Sequence, residues 1–539
     1  LVDRGFDTYV APSLGVSLAQ ANCDSCGLCI SGCPTGALSE NTPFKPAPVE
    51  WETVSTLCNF CSVGCSINLH HIGGFVVRCT GKEGAMNKEG NICRYPRFGY
   101  HYINDPERVT QPMIKKNGRF EPISFDKAYD FIYEEIKTSK PEENAFYAGA
   151  RLSNEEMYLI QKFARLAAKT HHVNSFHYLS SYVGSDLNAK ANVSFDSITE
   201  ASRIYLLGSE INEENGVIGF KVNYARNYHD IPVELITSRA ASGMRHKVDH
   251  QQRVKSHYHF VKAVNHYILS NDYQNEAFIK EQTSHFEDYK KHLLEEDFQV
   301  LIDRSGLERD QLIAFAENYL REPNAIIIFS EKNVSPATGA EIFNLAMMTG
   351  KIGKKASGII SLKEKNNSQG IFDMGISSWT GTGNQSLNDK EFVERLKSLW
   401  NTTQLPDIPD KEHIDLLDKG KIKNMYIFGE DPVGCAIDKE RVIRWFSRTR
   451  FVLVQDYFMT ETAEQADLIL PATMPVESSG TFTNTQRYIQ QFDKQLASKV
   501  ERENYRQLLD LLKSFDQNGF NSVEAVRKEA LSLLPSNQA

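Results

Sequence analysis

Nine of the ten cysteines in this chain lie between Cys23 and Cys93, and everything beyond holds only Cys435. A secreted disulfide protein would be small or would spread its bridges along the chain. Crowding at one end points instead to metal clusters in a reducing compartment. The first group reads Cys23-Asp-Ser-Cys26-Gly-Leu-Cys29-Ile-Ser-Gly-Cys33-Pro34. This close spacing lets three thiolates converge on one cubane, and the small residues between them leave backbone N–H groups free to bond the sulfurs. Pro34 turns the chain away after the fourth thiol. The second group is Cys58, Cys61 and Cys65, with Cys93 following after 27 intervening residues. Four thiolates suffice for one 4Fe–4S cluster, and the distant fourth ligand requires a small folded lobe. Zinc is the rival metal, more seriously at the second group than at the first. Cys79, inside the apparent strand Phe75–Cys79, reads as a buried core thiol.

The elements that position these thiols are legible in outline. Ser66–Cys79 alternates and is rich in Ile, Val and Phe, as in a β-hairpin turning at Gly73-Gly74. From about residue 106, short apolar strands alternate with amphipathic helices, the pattern of doubly wound parallel sheets. Strands are expected at Ile204–Leu207, Val233–Thr237, Ala325–Phe329, Met425–Phe428, Phe451–Val454 and Leu468–Leu470. Helices are expected at Phe125–Thr138, Asn154–Thr170 and Val254–Leu269, with Asp126 and Asn154 as starters. Several strands run into Gly208-Ser209-Glu210, Gly429-Glu430-Asp431-Pro432 or Gln455-Asp456. Loops at the carboxyl ends of such strands are where an open α/β sheet binds ligands, although turn and cap roles explain the same residues. His171-His172 and His257-Tyr258-His259 lack a coherent metal motif and read as surface histidines. Trp379–Gly383 reads as a flexible loop and Asn401–Lys423 as a surface connection.

Composition narrows the classes. A charged fraction of 24% with 41% hydrophobic residues is globular, and a net charge of −9 argues against nucleic acid as a partner. No apolar run approaches the ~18–20 residues of a membrane helix, so the chain reads as not membrane-spanning. It opens on Leu1 with no leader ahead of the first motif, so a removed start or a fragment is expected.

The first run is similar to that of bacterial ferredoxins. The resemblance implies that Cys23, Cys26 and Cys29 hold one 4Fe–4S cluster and Cys33 ligates another, so residues 1–45 resemble the second half of a two-cluster ferredoxin. The second group, followed by Arg97-Phe98-Gly99-Tyr100, resembles the N-terminal iron–sulfur lobe of the molybdopterin oxidoreductase superfamily. That superfamily includes formate dehydrogenases and the large iron–sulfur subunit (G type) of NADH:quinone oxidoreductase. Similar family loops are Glu331-Lys332-Asn333, Asn366–Gly370, Asp373-Met374-Gly375 and Gly429–Pro432. Others are Asp456 with Thr460–Ala463, Ala466–Pro471 and Thr483–Arg487. The implied fold is α/β: a ferredoxin-like half domain and a small 4Fe–4S lobe, followed by doubly wound parallel-sheet domains of the molybdopterin oxidoreductase type. The implied domains are 1–45, the lobe 46–105, the body 106–500 with an inner subdomain at roughly 190–320, and a helical tail 501–539. Gly208, Asn212, Glu430, Asp431, Thr460, Glu461 and Asn484 are the implied candidates for a degenerate site for molybdopterin guanine dinucleotide.

Departures from the family decide the functional expectation. A formate dehydrogenase needs a Cys or selenocysteine metal ligand followed by His, but the comparable stretch reads Asn174-Ser175-Phe176-His177-Tyr178-Leu179-Ser180-Ser181-Tyr182. Ser180, Ser181 or Asp186 could offer only oxygen. The lysine that bridges cluster and pterin in catalytic members is replaced within Arg94-Tyr95-Pro96-Arg97. A Pro-Gly-Thr-Asp loop is replaced by Lys255–His259, and since only a short helical tail follows Asn484–Gln490, the family's closing β-barrel domain is expected to be missing. The expectation is an electron-transfer subunit of an NADH-linked multisubunit oxidoreductase of complex I, hydrogenase or formate dehydrogenase type, with no catalytic residue of its own. Its implied partners are a flavoprotein that oxidises NAD(P)H, other iron–sulfur subunits, and a hydrogenase or formate dehydrogenase module. The implied location is cytoplasmic, peripheral to a membrane complex. Alternatives are a catalytic Mo/W bis-pterin enzyme and a non-catalytic scaffold.

Overall fold

The computed structural model describes residues 5–7, 11, 15–18, 23–41, 50–179, 192–517 and 519–535. Ser180, Ser181 and Asp186, the oxygen-donor candidates, lie outside the described residues. Two parallel-sheet units carry the body. The first has seven strands in the order 119–122, 113–116, 468–471, 451–456, 424–428, 144–148, 173–174. Its last five strands are parallel, while 113–116 and 119–122 form an antiparallel edge. The second has five parallel strands in the order 250–253, 233–237, 203–207, 325–330, 358–362. All but the strand 250–253 are buried almost throughout, which is why their sequences are mostly apolar, with buried polar exceptions such as Glu234, Thr237 and Ser361. The polar segment His250–Arg253 forms an edge, mostly exposed.

The expected strands all form, most of them a residue or two longer than their apolar runs. Helix ends differ more. Phe125–Thr138 forms as expected, but its cap is Ser124, whose side chain accepts from Lys127 N, and Asp126 lies in the first turn. The next helix, Asn154–Leu166, is capped one residue earlier by Ser153 and ends sooner. His257–Ser270 starts late because 250–253 is taken by a strand and Ser256 supplies the cap.

Two expectations about surface features are overturned. His171, His172 and His257 are buried, not at the surface. Arg165 Nε donates to His171 Nδ1 at 3.0 Å, and His172 packs on the ring of His413, which is bonded to Tyr147 Oη. Trp379–Gly383 is not a free loop: Thr380–Gly381 pairs with Gln385–Ser386, and Gly381, Thr382 and Gly383 are buried.

A three-stranded antiparallel sheet of Glu52–Leu57, Ser66–Ile72 and Phe75–Gly81 forms the small lobe, with the expected hairpin at Gly73-Gly74. Its core, which contains Cys79, is continuous with one face of the five-stranded sheet. Hydrogen bonds fasten the lobe's cysteine loop to the body. Ser62 Oγ donates to Lys363 O at 2.6 Å and accepts from Thr485 Oγ1 at 2.7 Å. Just beyond the lobe, Arg108 makes a buried two-point pair with Glu477 at 2.6 and 3.0 Å. Among the described residues, no helix is long and apolar enough to cross a membrane.

Candidate metal centre

Cys58, Cys61 and Cys65 sit on the connection between the first two lobe strands, which Cys58 N closes by donating to Cys65 O at 2.8 Å. The fourth thiol, Cys93, is the N-cap of the helix Arg94–Gly99. Cys58, Cys65 and Cys93 are buried and Cys61 is partly so. Burial, reinforced by repulsion from the neighbouring thiols Cys65, Cys61 and Cys93, holds Cys58 well above the ordinary thiol range. Burial also raises Cys65, with Cys61 and Cys93 adding to it, and pushes Cys93 up to about 12. Four thiols that feel one another in a dry pocket suit a metal cluster, because coordination removes the protons that burial would otherwise retain.

The surroundings fit that role. Backbone N–H groups of Phe60, Val63 and Tyr95 bond Cys58, Cys61 and Cys93 respectively. Lys221 lies near Cys65 and Arg151 near Cys61, so two cations would offset the charge of the thiolates if they ligate a metal cluster. The helix Gly216–His229 abuts Cys93 so closely that a Cβ on Gly216 would stand 2.8 Å from Cys93 Cβ. Among the described residues, no group of three or more His, Cys, Asp or Glu is arranged to hold a metal ion directly. A cubane sets its thiolates farther apart than one zinc ion does, since an iron atom stands between each thiolate and the centre.

The first cysteine run is more open. Cys23 and Cys29 are exposed, Cys26 and Cys33 partly so, and Cys29 lies in the one-turn helix Leu28–Ser31. Ser25 N donates to Cys23 Sγ at 3.3 Å, and Leu38 N to Cys33 Sγ at 3.4 Å. The bonds from Leu38 and Thr35 lower Cys33 to about 7, which favours its thiolate. Two cationic residues dock this run on the rest. Arg97 Nε donates to Cys26 O at 2.6 Å and Nη1 to Ser31 Oγ at 2.5 Å, while Lys247 pairs with Asp24. Sequence reasoning noted Arg97 as a family marker and within the stretch that replaces the family's bridging lysine, but not its docking role, and missed Lys247, Arg151 and Lys221. Nothing local marks them, because each acts on a distant segment.

The other candidates fall into three places. Gly208 and Asn212 follow the strand Arg203–Leu207 at the carboxyl end of the five-stranded sheet, where Asn212 Nδ2 also donates to Asp24 Oδ1 at 3.3 Å. Glu430, Asp431 and Thr460 gather at the carboxyl end of the seven-stranded sheet. Glu430 accepts from Ser175 Oγ at 2.5 Å and Phe176 N at 2.9 Å, thereby holding the segment that leads to Ser180. Burial raises its carboxyl to about 7 despite those bonds. Asp431 Oδ1 accepts from Thr462 N at 3.0 Å and Gly434 N at 3.0 Å, and Thr460 caps the helix Glu461–Gln465. Glu461 instead pairs with Lys439 at the surface. Asn484 is fully buried and internally bonded, donating to Val63 O at 3.2 Å and accepting from Gln486 N and Tyr488 N. Near these loops, the buried polar side-chain atoms without a hydrogen-bond partner include Ser209 Oγ, Asn212 Oδ1 and both amide atoms of Asn366. Buried polar atoms of this kind are what a polar dinucleotide can satisfy.

Comparisons with known proteins agree with this geometry. The molybdopterin oxidoreductase Fe4S4 domain matches residues 51–105. The alpha subunit of an F420-dependent formate dehydrogenase from Methanocaldococcus jannaschii is 31% identical over 507 residues, covering 90% of this chain and 74% of that protein. The alpha subunit of an NADPH-Fe(3+) oxidoreductase from Geobacter sulfurreducens is 26% identical, covering 99% of this chain and 64% of that protein. Acetylene hydratase from Pelobacter acetylenicus shares the fold, with a TM-score of 0.66 at 14% identity over 89% of this chain and 72% of its own. With the molybdopterin oxidoreductase match running from residue 108 to 514, the chain belongs to the molybdopterin oxidoreductase family.

Proposed function

We propose that this chain is an iron–sulfur electron-transfer subunit of a multisubunit oxidoreductase, and that its own pterin site does not carry a working molybdenum or tungsten centre. The observation that carries this reading is the contrast between the two ends of the chemistry. Four thiols are gathered in the lobe at Cys58, Cys61, Cys65 and Cys93, whereas no cysteine lies between Cys93 and Cys435 to ligate a catalytic metal. In this reading those four hold one 4Fe–4S cluster, and Cys23, Cys26 and Cys29 hold another, with Cys33 set apart as a ligand to a further cluster. The clusters pass single electrons, and the protein tunes them through charge and hydrogen bonds to sulfur.

The named relatives are subunits of formate dehydrogenase and NADPH-linked oxidoreductases. Their names as alpha subunits support a multisubunit setting, and in this reading the partners are a flavoprotein that exchanges electrons with NAD(P)H and other iron–sulfur subunits. A second reading, a pterin-loaded oxidoreductase, is favoured by the unpartnered atoms of Ser209, Asn212 and Asn366. If a molybdopterin dinucleotide binds, these residues would bond its polar groups, and the metal it carries would supply two-electron chemistry. Elemental analysis of anaerobically purified protein separates the readings. Iron and sulfide without stoichiometric Mo or W support the electron-transfer subunit, and one Mo or W per chain with extractable pterin overturns it.

A further inference from the structure

Arg97 occupies an unusual place. It grows from the helix that begins at Cys93, yet its guanidinium leaves the lobe and ends in the first cysteine run. The residue is 1% exposed. Its Nε and Nη1 bond Cys26 O and Ser31 Oγ at 2.6 and 2.5 Å, so the fork grips both ends of the one-turn segment that carries Cys29. Gly27 is shaped to receive it: a Cβ there would stand 2.2 Å from Arg97 Cδ. The charged groups facing the guanidinium are the thiols of Cys79 and Cys26, the carboxyl of Glu40, and Arg78. Burial raises the Glu40 carboxyl, which weakens it as a counter-charge. No other arginine or lysine is hydrogen-bonded to the backbone of a cysteine in this run among the described residues.

We infer that Arg97 is a positioning residue of the electron path, which docks the Cys23–Cys29 cluster on the lobe and holds its reduction potential up by placing a permanent positive charge beside Cys26. This rests on the reading that clusters occupy these thiols. The reduced state of a cluster carries one more negative charge than the oxidised state, and a nearby cation whose own side chain is buried favours it. Arginine suits the task because its guanidinium stays charged on burial and its planar fork fixes two acceptors at once. The link is also short in bonds. From Cys93 the route follows one helical turn to Arg97, then one hydrogen bond to the peptide of Cys26. The step served moves one electron between two clusters, one losing and the other gaining it, with no bond made or broken and no proton transferred.

The test is a potentiometric titration of the full chain, purified anaerobically with its clusters and followed by EPR, for the wild type, Arg97→Gln and Arg97→Lys. A Cys61→Ala variant assigns the signals by removing the lobe cluster. In Arg97→Gln, the equilibrium sharing of one electron between the clusters moves about tenfold away from the Cys23–Cys29 cluster, which is ~59 mV for a one-electron couple. Arg97→Lys keeps the charge and stays near the wild type. A Gln variant that loses its cluster, beside a Lys variant that keeps it at the wild-type potential, also supports the role of charge. Equal shifts in both variants, an unmoved potential in Arg97→Gln with both clusters present, or equal loss of iron from both would overturn the inference and leave Arg97 a structural clamp. A wild type that shows no signal from the first run overturns the ligand assignment itself, and the inference with it.

Discussion

Cys61 and Cys79 illustrate how differently two thiols of one lobe behave. Cys61 lies beside Arg151 and within the field of the other three cysteines of its group, whereas Cys79 is fully buried on a strand, its thiol pushed up to about 12 by burial. The expected outcome of Cys61→Ala is loss of about four iron atoms per chain, the content of one cubane. Cys79→Ala should leave the iron content unchanged, and iron and sulfide analysis of the two purified variants checks both. Similar iron loss from the two would mean that packing of the lobe, and not ligation, governs cluster retention. The candidate ligands were legible because spacing along the chain is itself the signal. The docking role of Arg97 was not, because its partner Cys26 lies 71 residues away and no local pattern records a contact across that separation.

At the scale of elements, the apolar runs located the inner strands well, since strands buried on both faces have little room for polar residues. Helix starts were read less well, because Ser, Asn and Asp crowd the same few positions and only the bond made shows which one caps. In the helix Asn154–Leu166 the true cap closes a reciprocal pair of bonds. Ser153 Oγ accepts from Glu156 N at 3.2 Å, and Glu156 Oε2 accepts from Ser153 N at 2.8 Å. Burial outweighs those bonds and raises the Glu156 carboxyl from 4.5 to about 7. The fold therefore prefers the protonated acid. This contribution is fully present below pH ~4.5 and is lost as pH rises through about 7, amounting to ~3 kcal/mol at the upper end. Glu156→Gln keeps an oxygen for the cap and removes the ionisation. The variant should be more stable than the wild type above pH 7 and should show a flatter stability profile from pH 4.5 to 7.5, measured by urea unfolding. A profile as steep as the wild type's would assign that pH dependence to other buried carboxyls.

On the scale of the whole molecule, the alternation of strands and helices announced two wound sheets but not their sharing of segments. The seven-stranded sheet takes strands from both sides of the five-stranded unit, and the crossing is set by packing between residues hundreds of positions apart. Burial of His171 and His172 was hidden for the same reason, since their neighbourhood, which includes Tyr147 and His413, is brought together by that crossing. The same architecture predicts how the molecule responds to loss of iron. Cys58 and Cys65 belong to a core shared by the lobe and one face of the five-stranded sheet, whereas the seven-stranded sheet is packed between separate cores. A lobe of some fifty residues holds little apolar surface of its own beyond the core it shares with the sheet, so bound metal is expected to supply part of its stability. Chelation of iron should therefore raise amide exchange first in Glu52–Leu57, Ser66–Ile72 and Phe75–Gly81. The next to loosen is the start of the helix Gly216–His229, which abuts Cys93, while Asn424–Phe428 and Phe451–Asp456 keep their protection. Hydrogen exchange read by mass spectrometry before and after chelation distinguishes this order from its rivals. Uniform loss across both sheets would make the clusters a keystone of the entire fold, and unchanged protection of the lobe would show that its strands stand without metal.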